Sequence, residues 1–202
     1  VTVTIYVEGG GKKNKDGEVR CRTGFRSYCD KLAPRGAISK IVVCGGRNDA
    51  FHRFGIEIRE AVPGAICVLL VDSEAPVPIG VPAEAFLSNG PDQRKFPEAS
   101  NHHVFLMAQA MEAWLLADRQ TLSGYYGQGF RTNALRGDER DIEAVLKDDL
   151  VPCLVAATRD TTKGKYDKML HGFDLHALIA PRKVGEGSVR ARDFNAFCSR
   201  SG

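Results

Sequence analysis

The chain has 202 residues, of which 43% are hydrophobic, and its 28 basic and 25 acidic side chains leave a net charge of +3. That length suits one domain, or one domain with a small appendage, and the apolar content is enough for a sizeable core. The charge balance neither demands nor excludes a nucleic-acid partner, and no apolar run in these residues approaches the roughly 18 that a membrane-spanning helix needs.

Residues 1–7 alternate and then become apolar, predicting a first strand that Glu8 ends and Gly9-Gly10-Gly11 follows. Residues 9–19 read as a loop rich in glycine and lysine. Phe25, Tyr28, Cys29 and Leu32 recur at helical spacing between Gly24 and Leu32, and Pro34 and Gly36 stop that helix. A second strand is predicted from Ile38 to Cys44, closed by Gly45-Gly46, with Asn48 or Asp49 as the cap of the next helix. Phe51, Phe54, Ile58 and Val62 form the buried stripe of that helix, and Pro63-Gly64 ends it. The run at 65–71, Ala-Ile-Cys-Val-Leu-Leu-Val, reads as a third strand buried on both faces. Helical crossovers between strands predict a mostly parallel, four-stranded α/β sheet flanked by helices.

Residues 75–101 interrupt this rhythm with five prolines and two glycines and read as a long loop. His103 to Met107 reads as a fourth strand, and Met111 to Leu122 as a helix in which Trp114 is core. Residues 123–137 are loop-like. Helices are predicted at 142–150, at 151–157 with Pro152 in the first turn, at 170–179 and at 189–198. The division is an α/β domain over 1–122 and a helical extension packed on it over 123–202. The six cysteines show neither a CxxC motif nor zinc-like spacing, and together with the absence of a visible signal peptide this reads as a reduced, cytoplasmic chain.

Chemistry concentrates at strand ends. Asp72-Ser73-Glu74 follows the third strand, where open α/β sheets place their ligands. With Glu8 at the end of another strand, three acids gather at one edge. Such a cluster repels itself unless a cation neutralises it, and hard oxygen ligands suit Mg²⁺ or Mn²⁺. Phosphoryl transfer fits this set, because it needs charge neutralisation and positioning more than covalent help. The competing reading makes Asp72 and Glu74 turn formers and Glu8 a cap or ion-pair partner. Glu112, just past a strand, is a candidate fourth carboxylate or a first-turn residue favoured by the helix dipole; Asp118, six residues on, points to another face and reads as structural. Arg47, after Gly45-Gly46, either binds phosphate or pairs with Glu8 or Asp72. Lys12 belongs to a basic stretch running to Arg26. Lys163, Lys165 and Lys168 form a second basic cluster in which Tyr166 offers a stacking face. A solvated loop is the alternative for both clusters. The Gly9–Lys13 tract lacks the spacing and the Ser or Thr of a P-loop, no Gly-x-Ser-x-Gly elbow occurs, and His102-His103 lacks a partner motif for a metal.

The Glu8-Gly9 turn after the first strand and the acid-x-acid turn Asp72-Ser73-Glu74 after a later strand resemble the Toprim domain. Toprim is the catalytic module of topoisomerases, primases, recombination nucleases and small ribonucleases. More specifically, Tyr6-Val7-Glu8-Gly9-Gly10, Cys44-Gly45-Gly46-Arg47, Leu70-Val71-Asp72-Ser73-Glu74, Met111-Glu112-Ala113-Trp114-Leu115-Leu116-Ala117-Asp118 and Lys165-Tyr166-Asp167-Lys168 resemble small stand-alone Toprim-like proteins of unknown function that are often encoded beside ATPases in bacterial defence loci. The resemblance spans nearly the whole chain. It implies a Toprim-like, Rossmann-like sheet, a metal-dependent nuclease acting on DNA or RNA, Glu8 as general acid or base, and Asp72 and Glu74 as ligands of Mg²⁺ or Mn²⁺. It also implies a possible ATPase partner, or a non-catalytic interaction or metal-nucleotide-binding role. Glu74 departs from the common Asp-x-Asp pattern, and its longer arm shifts the geometry of the pair.

Overall fold

The computed structural model describes residues 2–11, 14–60, 62–91, 93–97 and 102–201. Four strands, β1 (Thr2–Gly10), β2 (Lys40–Gly45), β3 (Ala65–Asp72) and β4 (His102–Met107), pair in the order β2-β1-β3-β4, every pairing parallel. The sheet is flanked by helices, giving a Rossmann-like α/β fold with a helical C-terminal region. β3 lies inside the sheet, which is why its sequence is continuously apolar. Val68 and Leu70 join Val3, Ile5 and Val7 on one face, while Cys67, Leu69 and Val71 join Tyr6 and Cys44 on the other. Residues 68–71 are fully buried, and each such side chain contributes about 1.5–3 kcal/mol.

Helix α1 (Lys15–Cys29) connects β1 to β2 and lays Phe25 and Tyr28 on the first face. Helix α2 (Arg47–Glu60) connects β2 to β3 and lays Phe54 and Ile58 on the second. α1 starts well before the predicted Gly24. Asn14 caps it by accepting the Gly17 N–H at 3.0 Å, and Asp16 and Glu18 favour its first turn, so the lysine- and glycine-rich stretch conceals a helix start. α2 starts at Arg47, ahead of the predicted caps Asn48 and Asp49.

The 75–101 region is not the structureless loop predicted: Ala83–Asn89 forms α3, whose Leu87 joins the second core. The predicted helix 111–122 is two helices, α4 (Met111–Leu116) and α5 (Arg119–Tyr126). The two helices predicted at 142–157 resolve into a 3₁₀ turn at Ile142–Ala144 and one helix, α6 (Lys147–Thr158), with Pro152 in its interior rather than its first turn. A π-helical turn (Lys168–Gly172) leads into α7 (Phe173–Leu178). α8 (Pro181–Gly187), which periodicity did not mark, and α9 (Val189–Arg200) complete the chain.

The helices of the second half cover the first face of the sheet. Trp114, Phe173, Leu175 and Phe194 share a core with Val3, Ile5, Phe25 and Tyr28. α1 meets α7 backbone to side: a Cβ added at Gly24 would stand 2.5 Å from the Phe173 carbonyl oxygen, so only glycine admits this approach. All six cysteines are free and buried, and among the described residues no helix is long and apolar enough to cross a membrane.

Candidate metal centre

The strand order sends the chain from β1 outward to β2 and from β3 outward to β4, so the crevice between the carboxyl ends of β1 and β3 is the topological switch point. Glu8 and Asp72 stand at that crevice. Glu8 lies near the C-terminal end of β1, which continues to Gly10. Gly10 has φ +82°, and a Cβ there would come within 2.7 Å of the Val43 side chain, so sterics require glycine two positions after Glu8.

Asp72 closes β3, buried, with Oδ1 accepting the Met111 N–H at 2.8 Å. Beyond it the backbone still follows the β4 segment: the Ser73 N–H donates to the Met107 carbonyl and the Glu74 N–H to the Gln109 carbonyl, both at 2.9 Å. Glu74 is left-handed, φ +67°, a conformation that costs a non-glycine residue about 1–2 kcal/mol. In it, one oxygen each of Glu8, Asp72 and Glu74 lie within 4.8 Å of one another. Strain at such a position points to a site whose geometry matters.

Among the described residues, three cations border the acids. Arg47 Nη1 lies 3.6 Å from Glu8 Oε2 and donates to the Asp72 carbonyl. Lys147, at the start of α6, pairs with Glu74. Lys168 Nζ is 3.2 Å from Glu112 Oε1, and Glu112 is buried in the first turn of α4. Burial pushes the Asp72 carboxyl up to about 8; Lys168 opposes the rise, and Glu8, Glu112 and Glu74 add to it. Burial also raises Glu8, against the pull of Arg47. Burial alone would lower Lys168, but Glu112 and Asp72 outweigh it and hold the ammonium above its ordinary value. The donor set suits a hard divalent cation: every ligand is a carboxylate oxygen, and Glu8 Oε2 is buried with no hydrogen-bond partner.

The other predicted residues are distributed as follows. Lys12 lies outside the described residues. Lys163 sits over the Tyr125 ring at 4.6 Å, and Lys165 is exposed. Of the second basic cluster, Lys168 is the member that enters the acidic crevice. Tyr166 is 3% exposed and packs in the core, so the predicted stacking face for a base does not exist. Trp114 is core. Asp118 caps α5 and accepts the Ala180 N–H, a structural role. His102 Nε2 lies 3.1 Å from Glu84, and its ring meets Phe54 edge-on. Sequence reasoning missed Lys147 and Gln109. Gln109 Oε1 accepts the Lys147 N–H at 3.0 Å, tying the turn after β4 to the lysine that faces Glu74.

Fold and site define an α/β protein with a carboxylate cluster at the switch point of a parallel sheet, closed in by basic side chains. Residues 20–200 match the family described as a domain of unknown function (DUF4276), and the chain belongs to that family. The match takes in Asp72, Glu74, Glu112 and Lys168 and begins downstream of Glu8. No match was found among curated proteins or among solved structures.

Proposed function

We propose that this protein is a Toprim-like, Mg²⁺- or Mn²⁺-dependent nuclease, or a related phosphoryl-transfer protein, that acts on DNA or RNA in the bacterial cytoplasm, in phage defence beside a partner ATPase. The observation that carries the reading is the convergence of Glu8, Asp72 and Glu74, from the ends of two adjacent parallel strands, to within 4.8 Å. Six free cysteines accord with a reducing compartment. Asp72 and Glu74, with Glu8, would hold the ion, which when bound supplies Lewis-acid neutralisation of a phosphoryl oxygen and a more acidic water. The remaining work falls to the chain. Glu8, raised by burial, is suited to hold and return a proton at the crevice. Arg47 and Lys168 flank the acids with charge that complements a phosphodiester, and Glu112 keeps Lys168 in place. Manganese titration calorimetry, run with a cleavage assay on labelled DNA and RNA, tests this. Wild type is expected to bind and cut, and Asp72→Ala to do neither; cleavage retained in Asp72→Ala would sink the proposal.

One observation favours a second reading. Arg47, Lys147 and Lys168 already face three of the four carboxylates, so the crevice is largely compensated by the chain itself. Under that reading the protein is an interaction subunit or a metal-nucleotide-binding module, inert until it docks on its ATPase. Wild-type protein silent toward millimolar Mn²⁺, yet active once the ATPase is added, would select it.

A further inference from the structure

The described parts of the proline-rich stretch after β3, residues 75–91 and 93–97, wall two cavities beside the acid crevice. The first, about 350 Å³, opens between Arg47, Ser73 and Glu74 on one side and Phe86, Leu87 and Pro91 on the other. One wall is therefore shared with the candidate metal centre, through Glu74 and Arg47, and the opposite wall is apolar. The second, about 380 Å³, lies between α2 and residues 93–97, lined by Phe51, Arg59, Arg94, Lys95 and Phe96. The two share the first turn of α2. Arg47 and Arg94 approach the Phe51 ring at 5.4 and 4.1 Å, and Phe96 lies 6.3 Å from it. The Arg94 N–H donates to the Leu87 carbonyl at 3.1 Å, so the walls of both cavities are joined.

We propose that these cavities are consecutive nucleotide subsites and that the chain takes single-stranded nucleic acid. The inference rests on the nucleic-acid reading above and names its substrate class. A cavity of this size is near the lower bound of small-ligand sites, about 300 Å³, and suits one heterocycle with its sugar. A duplex keeps its bases stacked inside and presents phosphates, so it has nothing to place against Phe86 and Leu87. An unpaired base does, and burying it there sets its phosphate at Arg47 and the acids. The neighbouring cavity sets the Phe96 ring beside the exposed cations Lys95 and Arg59, the pairing by which single strands are held through base stacking and backbone charge.

The test is fluorescence anisotropy with a labelled 12-nucleotide single strand, as DNA and as RNA, against the matching blunt duplex, in Ca²⁺ and again in EDTA. Single strands are expected to bind about tenfold or more tightly than duplex. Ala75 is exposed and lines the first cavity, so Ala75→Trp plugs it without emptying the core and is expected to weaken single-strand binding at least tenfold. Lys95→Glu is expected to weaken it several-fold and to lower the salt dependence. Equal affinity for duplex and single strand, or an Ala75→Trp variant that binds like wild type, overturns the proposal. Selective, plug-sensitive binding in a protein without Mn²⁺ affinity would leave the subsites standing and remove the metal-dependent reading. Metal-dependent cutting without strand selectivity would do the reverse.

Discussion

Asp72 is a carboxylate that the fold holds against its own charge. It is buried among Glu8, Glu74 and Glu112, and Lys168 offsets the repulsion without cancelling it, so its carboxyl is raised to about 8 against about 3.9 in the unfolded chain. The folded state therefore binds the extra proton between those values, and metal-free stability falls as pH rises through that window. Asp72→Asn removes the charge yet keeps an oxygen for the Met111 N–H. In EDTA at pH 8 the variant is expected to resist urea better than wild type, by on the order of 1–3 kcal/mol, with a flatter pH profile between 4 and 8. It is also expected to lose Mn²⁺ affinity. Opposite signs for stability and affinity are the mark of a side chain kept for chemistry; an Asn variant less stable than wild type at pH 8 would mean that Lys168 already neutralises Asp72.

At the scale of elements, Asp118 separates α4 from α5. Its carboxylate accepts the Thr121 N–H at 3.2 Å, the Thr121 hydroxyl at 2.8 Å and the Ala180 N–H at 2.9 Å, with Lys183 at 3.5 Å. Burial alone would raise its pKa, but the bonds from Ala180 and Thr121 bring it below the ordinary value. Asp118→Ala removes a cap and the acceptor of the chain before α8, so a loss of about 2–3 kcal/mol is expected in urea unfolding, with Mn²⁺ affinity unchanged. A collapse of metal affinity with intact stability would reassign the residue to the site. The same region shows what the sequence carried. Strands were legible because β3 is apolar on both faces, and Glu8, Asp72 and Glu74 were legible because acids at strand ends have no solvated helix face to explain them. The break at Asp118 was hidden because Met111, Trp114, Leu115 and Leu122 are all buried, which imitates one continuous stripe. α1 began early through a cap at Asn14, a local signal masked by lysines. Lys168 and Lys147 reach their acids across 56 and 73 residues, and no local pattern encodes such pairs.

For the whole molecule, the decisive contact is the one between the sheet unit and the helical half. His176 of α7 is fully buried between Phe25 and Tyr28 of α1 and Trp114 of α4, at ring distances of 4.2, 5.0 and 5.4 Å, and Lys168 enters the acid crevice from the turn just before α7. The site is therefore completed by the packing of the second half on the first. Gly24 is where that packing is tightest, and it offers a test in which two effects oppose. In a helix interior, alanine is better than glycine by about 1 kcal/mol. Here its methyl would meet the Phe173 carbonyl, a backbone group that cannot rotate away, and overpacking of that kind costs about 1–3 kcal/mol or more. Gly24→Ala is therefore expected to destabilise the protein by about 1–2 kcal/mol net. Trp114 is the single tryptophan and lies in the shared core, so its fluorescence reports on the packed halves while far-UV circular dichroism reports on all helices. If the halves fold as one unit, both signals shift to lower urea together and remain coincident. A variant whose fluorescence transition moves while the dichroism splits in two would show that the halves are separable; one as stable as wild type would show that α7 yields at Phe173 and that the contact does not hold Lys168 in register with Glu112.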